Sequence, residues 1–163
     1  LWKCDVNRWA PPVVIQVPYN LVTRSIDEEC VVFSQKLNIG LVAYNPLVGG
    51  ILSGKHSRDK VPEKGTRFDY NQEYYGRFWQ DSNFEAVEEL KMIAADAGRS
   101  LIELALQWVV SQDCVDSMIL GASKIEQLEE NLKAAEGKLD EGTLEACDEV
   151  WRKVRGTHFK YNR

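Results

Sequence analysis

One stretch of the sequence combines residue types that suit the binding of a phosphate group. The segment YNPLVGGILSGK, residues 44–55, follows the short apolar run IGLVA and contains three glycines, a serine and a lysine. Glycines at the carboxyl end of a parallel strand allow backbone amides to approach a phosphate or pyrophosphate, while Ser53 offers a hydroxyl and Lys55 a positive charge. A flexible loop without a ligand accounts for these residues equally well. The segment matches neither the Walker sequence nor the GxGxxG of dinucleotide folds.

A second candidate for anion binding lies in the segment ILGASKIEQLEEN, residues 119–131. An apolar run leads through Gly121 into a helix that we expect to begin near Ser123. The free amides and the positive dipole end of that helix suit a phosphate, and Ser123 and Lys124 add a hydroxyl and a cation. The alternative is a capped helix with a solvated lysine. Two phosphate-suited strand ends in one chain favour a shared anionic ligand over coincidence.

Composition restricts the class of protein. The 163 residues, 44% of them hydrophobic and 28% charged, predict one soluble globular domain over residues 1–163. The net charge of −5, with dispersed Lys and Arg, disfavours a nucleic-acid partner, and no apolar run is long enough to predict a membrane span. The four scattered cysteines form no CxxC pair, so we expect neither a disulfide framework nor a metal site, and a cytoplasmic location.

Three short apolar runs predict the strands that position these residues: VVIQV at 13–17, GLVAY at 40–44 and SMILGA at 117–122. Runs of this kind are typical of strands buried on both faces of a parallel sheet. Helical segments separate and follow them, so the order of elements predicts a parallel α/β fold. The long connection at residues 56–81 is polar and aromatic together, which is typical of a functional loop. The opening LWKCDVNRWAPP reads like the end of a helix, and we expect the chain to begin in the middle of a longer fold.

Four S-x-x-E patterns predict helix starts with a capping box, in which the serine and the glutamate each bond the other residue's backbone amide. Apolar residues then recur at helical spacing and are expected to face the core. The boxes are at residues 25–28, 82–85, 100–103 and 123–126, and the repeats are Ile26, Cys30, Phe33 and Leu37; Leu101, Leu104, Ala105 and Trp108; and Ile125, Leu128, Leu132 and Ala135. A last helix is expected near residues 143–154.

The runs QVPYN, VAYNPLVGGILSGK and ILGASKIEQLEENL, in that order, resemble the C-terminal half of an aldo-keto reductase. The further matches TRF, EYYGRFW and NFEA, and the ending YNR, resemble the branch of aflatoxin-aldehyde and succinic-semialdehyde reductases. The resemblance covers essentially the whole chain. It implies the C-terminal part of a (β/α)8 TIM barrel, with about three βα units and a C-terminal helix. It also implies NADP(H) bound in an extended pose over the C-terminal ends of the strands.

The resemblance assigns cofactor roles along the chain. Gln16 would hydrogen-bond the nicotinamide carboxamide, although a buried polar group satisfied by backbone is the alternative. Tyr44 would stack on the nicotinamide ring, with an aromatic plug at the barrel rim as the alternative. Arg67, in TRF, would contact the cofactor from the long loop. Ribose and pyrophosphate would lie against Asn45, Pro46, Leu47, Gly49, Gly50, Leu52, Ser53, Gly54 and Lys55, and the 2′-phosphoadenosine end against Gly121, Ser123, Lys124, Gln127 and Asn131.

Lys124 replaces a serine that is common in the branch, and a lysine favours NADP over NAD. Tyr74, Arg77 and Arg163 match residues of the branch's substrate pocket, where an arginine would hold a carboxylate or a carbonyl oxygen. Loop packing is the alternative for Tyr74 and Arg77, and a free tail is the alternative for Arg163.

The chain departs from the family in one large respect, because the Asp, Tyr, Lys and His that carry the family's chemistry belong to the first half of the barrel. His56 and His158 lie in the wrong places to replace the histidine, and Tyr19 is not the proton donor. We therefore expect no catalytic residue in this segment and no carbonyl reduction by it alone. The complete barrel would reduce small aldehydes or ketones with NADPH.

Three-stranded pieces of a barrel have unpaired edges, so the missing half could belong to a longer chain, to another polypeptide, or to a second copy in a homodimer. The alternatives are a non-catalytic NADP-binding regulatory subunit or relic, and a structural fragment without a ligand.

Overall fold

A parallel sheet of three strands organises the computed structural model, which describes residues 1–156. The strands are β1 (Val14–Pro18), β2 (Gly40–Tyr44) and β3 (Ser117–Met118), in the order β1-β2-β3. Val14 pairs with Gly40, and Val42 pairs with Ser117. The predicted α/β class and parallel sheet are confirmed, and the carboxyl ends of all three strands lie at one edge. Within the described residues the sheet is open and does not close into a barrel.

Helices occupy most of the remaining chain. Within residues 1–156, none of them has the length and apolar character needed to cross a bilayer. The helices are α1 (Trp2–Asn7), α2 (Cys30–Leu37), α3 (Arg67–Tyr70), α4 (Gln72–Phe78), α5 (Asp81–Asp96), α6 (Leu101–Val110), α7 (Ile125–Ala134) and α8 (Glu141–Arg155). Of these, α1 and α8 are the predicted N-terminal and C-terminal helices.

The long connection between residues 56 and 81, which the sequence predicts to be a functional loop, is only partly irregular. It contains α3 and α4, and the side chain of Asn71 caps α4 by accepting a hydrogen bond from the Tyr74 amide at 2.8 Å. Phe68 and Phe78 from these two short helices are buried. The aromatic residues of this segment therefore anchor it to the body of the protein.

The hydrophobic core lies where α5, α6 and α8 pack together beneath the sheet. Leu90 of α5 and Leu104 and Trp108 of α6 are almost completely buried, as is Leu41 of β2. Burial of such side chains contributes about 1.5–3 kcal/mol each. The core thus holds the sheet and the loops at its carboxyl edge in place.

The prediction that the strands are buried on both faces is wrong. Val14 of β1 is 50% exposed and Gln16 is exposed, because no described element covers the outer side of β1. Residues of β2 alternate between buried and half-buried, and β3 is only two residues long rather than spanning 117–122. Gln16 is therefore not the buried polar group that the alternative interpretation required.

Two helical repeats that were expected to face the core do not. Leu128 and Leu132 of α7 are 41% and 56% exposed, and Phe33 and Leu37 of α2 are exposed to a similar degree. The buried residues of α7 are instead Asn131 and Ala134. Helical spacing identifies an apolar face, but no described element packs against that face in α2 or in α7.

One of the four predicted capping boxes is present. In α6 the Ser100 hydroxyl accepts from the Glu103 amide at 3.2 Å, and the Glu103 carboxylate accepts from the Ser100 amide at 2.7 Å. Ser25 instead opens a 3-10 turn without a side-chain cap, and Ser82 lies inside α5. Ser123 precedes α7 by two residues. A box requires serine at the last extended position before the helix, which only Ser100 occupies among the four.

Ser100→Ala should lower the free energy of unfolding by about 1 kcal/mol, since it removes the acceptor for an otherwise unpaired amide. Ser82→Ala, which changes a serine that caps nothing, is the matched control and should be nearly neutral. Hydrogen bonds from Ser100 lower the pKa of Glu103. The stability that the ionised Glu103 carboxylate contributes is therefore present above the ordinary pKa of a glutamate. It is lost as the pH falls through the lowered pKa of Glu103 in the folded protein. Denaturant unfolding at neutral and acidic pH measures both effects, and equal losses in the two variants would contradict the box.

Candidate functional site

A cavity of about 640 Å³ lies at the carboxyl edge of the sheet. Gln16 of β1, Tyr44 of β2 and Gly121 after β3 line it, together with residues of the loop that follows β2. Parallel strands place their carboxyl ends side by side, and ligands of open α/β sheets bind at that edge. The two segments singled out in the sequence therefore meet at a single cavity.

Most of the residues assigned to the cofactor line this cavity. They are Gln16, Tyr44, Asn45, Pro46, Leu47, Gly49, Lys55, Arg67, Gly121, Ser123, Gln127 and Asn131. The lining also includes residues that the sequence analysis did not assign, namely Gly65, Thr66, Tyr70, Ile119, Leu120 and Ala122. All of these are close in sequence to an assigned residue, so extending each motif by a few positions would have found them.

Five assigned residues lie outside the cavity lining: Gly50, Leu52, Ser53, Gly54 and Lys124. Leu52 is fully buried in the core. The Ser53 hydroxyl donates to the Gly50 carbonyl at 2.8 Å and thus stabilises the loop itself. Lys124 is exposed and forms the N-cap position of α7. Of these five residues, Leu52 and Ser53 thus stabilise the loop after β2 and do not face the cavity.

The loop after β2 begins with a tight turn centred on Asn45. This residue has a left-handed backbone, with φ of 61°. Its side-chain oxygen accepts from the Gly49 amide at 3.2 Å and from the Tyr74 hydroxyl at 2.7 Å, and its carbonyl accepts from the Asn20 side chain at 3.1 Å. Asn45 therefore joins three segments of the chain at the rim of the cavity.

Gly49 and Gly50 explain the glycine-rich character of this loop. Both have left-handed backbones, with φ of 62° and 99°, a conformation that glycine adopts without steric cost. A β-carbon on Gly49 would lie 2.8 Å from Cε1 of Tyr74, and one on Gly50 would collide with the Lys55 side chain. The glycines therefore serve both a tight turn and the close approach of side chains to the backbone.

Three residues were assigned to a substrate pocket, and the two that the structure describes, Tyr74 and Arg77, do not line the cavity. Tyr74 points its hydroxyl at Asn45 instead, and burial raises the pKa of its phenol, so the hydroxyl stays protonated and donates. Arg77 is exposed, and its guanidinium lies 5.1 Å from the centre of the Phe78 ring. Arg163 lies outside the described residues. A substrate role for Tyr74, Arg77 and Arg163 stays a prediction.

His56, which the sequence analysis set aside as a loop residue, supports the same turn. It is buried, and its Nε2 lies 3.3 Å from the Gly49 carbonyl oxygen. The ring makes edge contacts with Phe68 and Trp79. Burial lowers the pKa of His56, which favours the neutral ring with Nε2 donating to the carbonyl. No sequence motif pointed to this contact, because it depends on residues that only folding brings together.

Donors at the start of α7 face the other end of the cavity. The amide and hydroxyl of Ser123 both donate to the side-chain oxygen of Gln127, at 3.1 and 3.0 Å. Gln127 and Asn131 are one helical turn apart and both line the cavity. In this structure Gln127 therefore satisfies both donors, and an anion would have to displace its side-chain oxygen to bind them. Among the described residues, no group of three or more His, Cys, Asp or Glu side chains is arranged to hold a metal ion.

Comparison with known proteins identifies the family. Residues 3–152 match the aldo/keto reductase family. Aflatoxin B1 aldehyde reductase member 2 of Rattus norvegicus is 34% identical over 166 residues, which cover 93% of this chain and 45% of that protein. L-glyceraldehyde 3-phosphate reductase of Escherichia coli strain K12 is 31% identical over 134 residues, covering 79% of this chain and 38% of that protein.

A solved structure agrees with these relatives. The glycerol dehydrogenase of Gluconobacter oxydans superimposes with a TM-score of 0.74 at 26% identity, covering 94% of this chain and 46% of that chain. The chain spans about half the length of the curated relatives that it matches. The resemblance read from the sequence motifs is thereby confirmed: this chain belongs to the aldo/keto reductase family.

Proposed function

We propose that this chain supplies most of the NADP(H) site of an oxidoreductase that reduces small aldehydes or ketones to alcohols. The observation that carries this proposal is the cavity of about 640 Å³, in which both phosphate-suited segments meet at the carboxyl ends of parallel strands. The names of the relatives, which include aldehyde reductases, support the carbonyl substrate. The complete protein would be a (β/α)8 barrel, of which this chain forms the C-terminal part.

The residues of the cavity fit such a cofactor chemically. Gln16 presents an exposed amide and Tyr44 an aromatic ring at the β1 and β2 side, which suits a nicotinamide ring with its carboxamide. Lys55 and Arg67 are exposed cations at the rim and suit a pyrophosphate. At the far end, the amide and hydroxyl of Ser123, which bond the Gln127 side chain in this structure, would turn to a phosphate oxygen.

In this proposal the residues of the chain bind and orient. NADPH, when bound, supplies the hydride that a carbonyl carbon accepts. Tyr44 holds one face of the nicotinamide and so selects the face that meets the substrate. Gln16 limits rotation of the ring through its carboxamide. Gly49, whose left-handed backbone glycine adopts without steric cost, allows the tight turn that lines the cavity beside the ribose and pyrophosphate.

Tyr19 is unsuited to supply the proton for the carbonyl oxygen. Tyr19, a tyrosine near the end of β1, is 2% exposed and its hydroxyl donates to Asp27 at 2.7 Å. Burial and the nearby Asp27 carboxylate raise its pKa, which opposes proton donation to a substrate. We therefore propose that the family's Asp, Tyr, Lys and His come from a complementary half of the barrel. That half would belong to a longer chain, another polypeptide or a second copy, acting in the cytoplasm.

The same observation about Tyr19 favours a second candidate, a non-catalytic NADP-binding regulatory subunit or relic. The two functions differ in one measurable respect. The reductase binds NADPH and oxidises it when a small aldehyde is added. The regulatory subunit or relic binds NADPH and leaves it unchanged.

Tyr44→Ala tests the cofactor site directly. Loss of the stacking ring should weaken NADPH binding about tenfold and slow hydride transfer. Tyr44→Phe, which keeps the ring, is the matched control and should bind nearly as the wild type does. Quenching of protein fluorescence on titration with NADPH measures the affinity, and single-turnover oxidation of NADPH measures the transfer. Unchanged affinity and rate in Tyr44→Ala would remove the stacking role.

A further inference from the structure

We propose that Tyr74 is a positioning residue for the cofactor loop, residues 45–55, and that it acts by holding the turn between Asn45 and Gly49 in the shape that lines the cavity. The proposal rests on the proposed function for the identity of the ligand. The contacts on which the role of Tyr74 depends are all made within the chain. It assigns Tyr74 a different task from the substrate contact that the family resemblance implied.

The hydroxyl of Tyr74 is one half of the restraint. It donates to the side-chain oxygen of Asn45 at 2.7 Å, and the same oxygen accepts from the Gly49 amide at 3.2 Å. Tyr74 thereby fixes the acceptor that closes the turn. Asn45 and Gly49 line the cavity, whereas Tyr74 does not. The tyrosine therefore acts on the ligand site through these two residues.

The aromatic ring of Tyr74 is the other half. Its centre lies 5.1 Å from that of Phe68 and 4.7 Å from that of Phe78, and the guanidinium of Arg67 lies 4.7 Å from the same ring. Both phenylalanines are buried. Neighbours in α3 and α4 thus hold the ring, and Gly49 packs against it so closely that a β-carbon would not fit. The helices provide a rigid support and the loop rests on it.

The loop needs such support because its backbone is strained. Val48, which is β-branched and fully buried, has a left-handed backbone with φ of 50°, and Asn45 has φ of 61°. Residues in such conformations persist only where the surrounding structure determines them. His56 holds the carbonyl of Gly49 while Asn45 and Tyr74 hold its amide side. Removing one of these restraints should let the turn relax away from the geometry that meets the cofactor.

Tyr74→Phe keeps the ring and removes only the hydroxyl, so it isolates the hydrogen bond to Asn45. We expect NADPH to bind about tenfold more weakly, as for the loss of one buried hydrogen bond. Adenosine 2′,5′-bisphosphate should bind with unchanged affinity, because its groups would lie at Ser123 and Gln127 and not at the turn. Amide hydrogen exchange over residues 45–55 should become faster in the variant without ligand. Tyr75→Phe, the same change at the next position of α4, should alter none of the three.

Isothermal titration with both ligands and exchange measured by mass spectrometry provide these results on the full-length protein. Equal weakening of both ligands, or unchanged exchange at residues 45–55, would overturn the positioning role. If the wild-type protein binds neither ligand, the proposed function fails and the exchange comparison alone decides the role of Tyr74. Faster exchange in Tyr74→Phe than in Tyr75→Phe then supports it, and equal exchange overturns it.

Discussion

Gly49→Ala should cost about 3 kcal/mol of the free energy of unfolding and weaken NADPH binding at least tenfold. Two costs combine at this position. An alanine with φ of 62° carries the penalty of a left-handed backbone, and its β-carbon would lie within 3.1 Å of the Tyr74 and Phe68 rings. Those rings pack on buried neighbours and cannot yield without disturbing α3 and α4. The turn would have to move, and the cavity wall would move with it.

Gly98→Ala is the matched control for this experiment. Gly98 also has a left-handed backbone, with φ of 67°, but nothing lies within 4 Å of the position that a β-carbon would take. It should therefore show only the backbone penalty, about 1 kcal/mol, and leave NADPH binding unchanged. Denaturant unfolding and NADPH titration of both variants separate the cost of the collision with Tyr74 and Phe68 from the cost of a left-handed backbone. Equal destabilisation would mean that the Tyr74 contact contributes nothing.

Arg24→Ala is the second substitution with a large expected effect, at about 3 kcal/mol of the free energy of unfolding. The Arg24 side chain is 4% exposed and donates to the Asp148 carboxylate at 2.5 Å and to the Cys147 carbonyl at 3.0 Å. Its guanidinium lies 4.1 Å from the centre of the Trp108 ring. The residue thus ties the segment after β1 to α8 and covers the core. Its loss removes these hydrogen bonds and the one from Nε to the Leu21 carbonyl at 3.2 Å, and the stacking contact is lost as well.

Asp148 is 48% exposed, so water can hydrate its carboxylate when Arg24 is removed. The expected loss of unfolding free energy is therefore at the lower end of the range for breaking a buried ion pair. Arg58→Ala is the control, because Arg58 pairs with Asp81 at 2.6 Å while both side chains are more than half exposed. A surface pair of this kind contributes less than about 1 kcal/mol. Denaturant unfolding of the two variants measures the difference. Similar losses would show that the buried position of Arg24 adds no stability.

Local chemistry decides several features of this chain, and the sequence predicts those features. Apolar runs at residues 40–44 and 117–122 predicted parallel strands, and the strands begin within those runs. The glycines after β2 predicted a backbone that approaches a phosphate, which stays a prediction; in the structure Gly49 approaches the Tyr74 ring closely. Ser100 and Glu103 lie in one helical turn and formed the predicted box. Because parallel strands end at a shared edge, the meeting of both anion-suited segments also followed from the sequence.

Only the tertiary structure decided which neighbour each residue has. Leu128 of α7 has the spacing of a core residue and yet is exposed. Burial requires a second element that packs against the apolar face, and the spacing of residues within the helix does not provide one. No sequence motif links Tyr74 or His56 to Gly49. Their contacts with Gly49 form only when the long connection, which contains α4, folds over the loop. The sequence by itself determined the family, the parallel α/β class and most of the residues that line the cavity. Long-range packing determined which side chains line the cavity and which hold its wall, because no local spacing encodes contacts between distant segments.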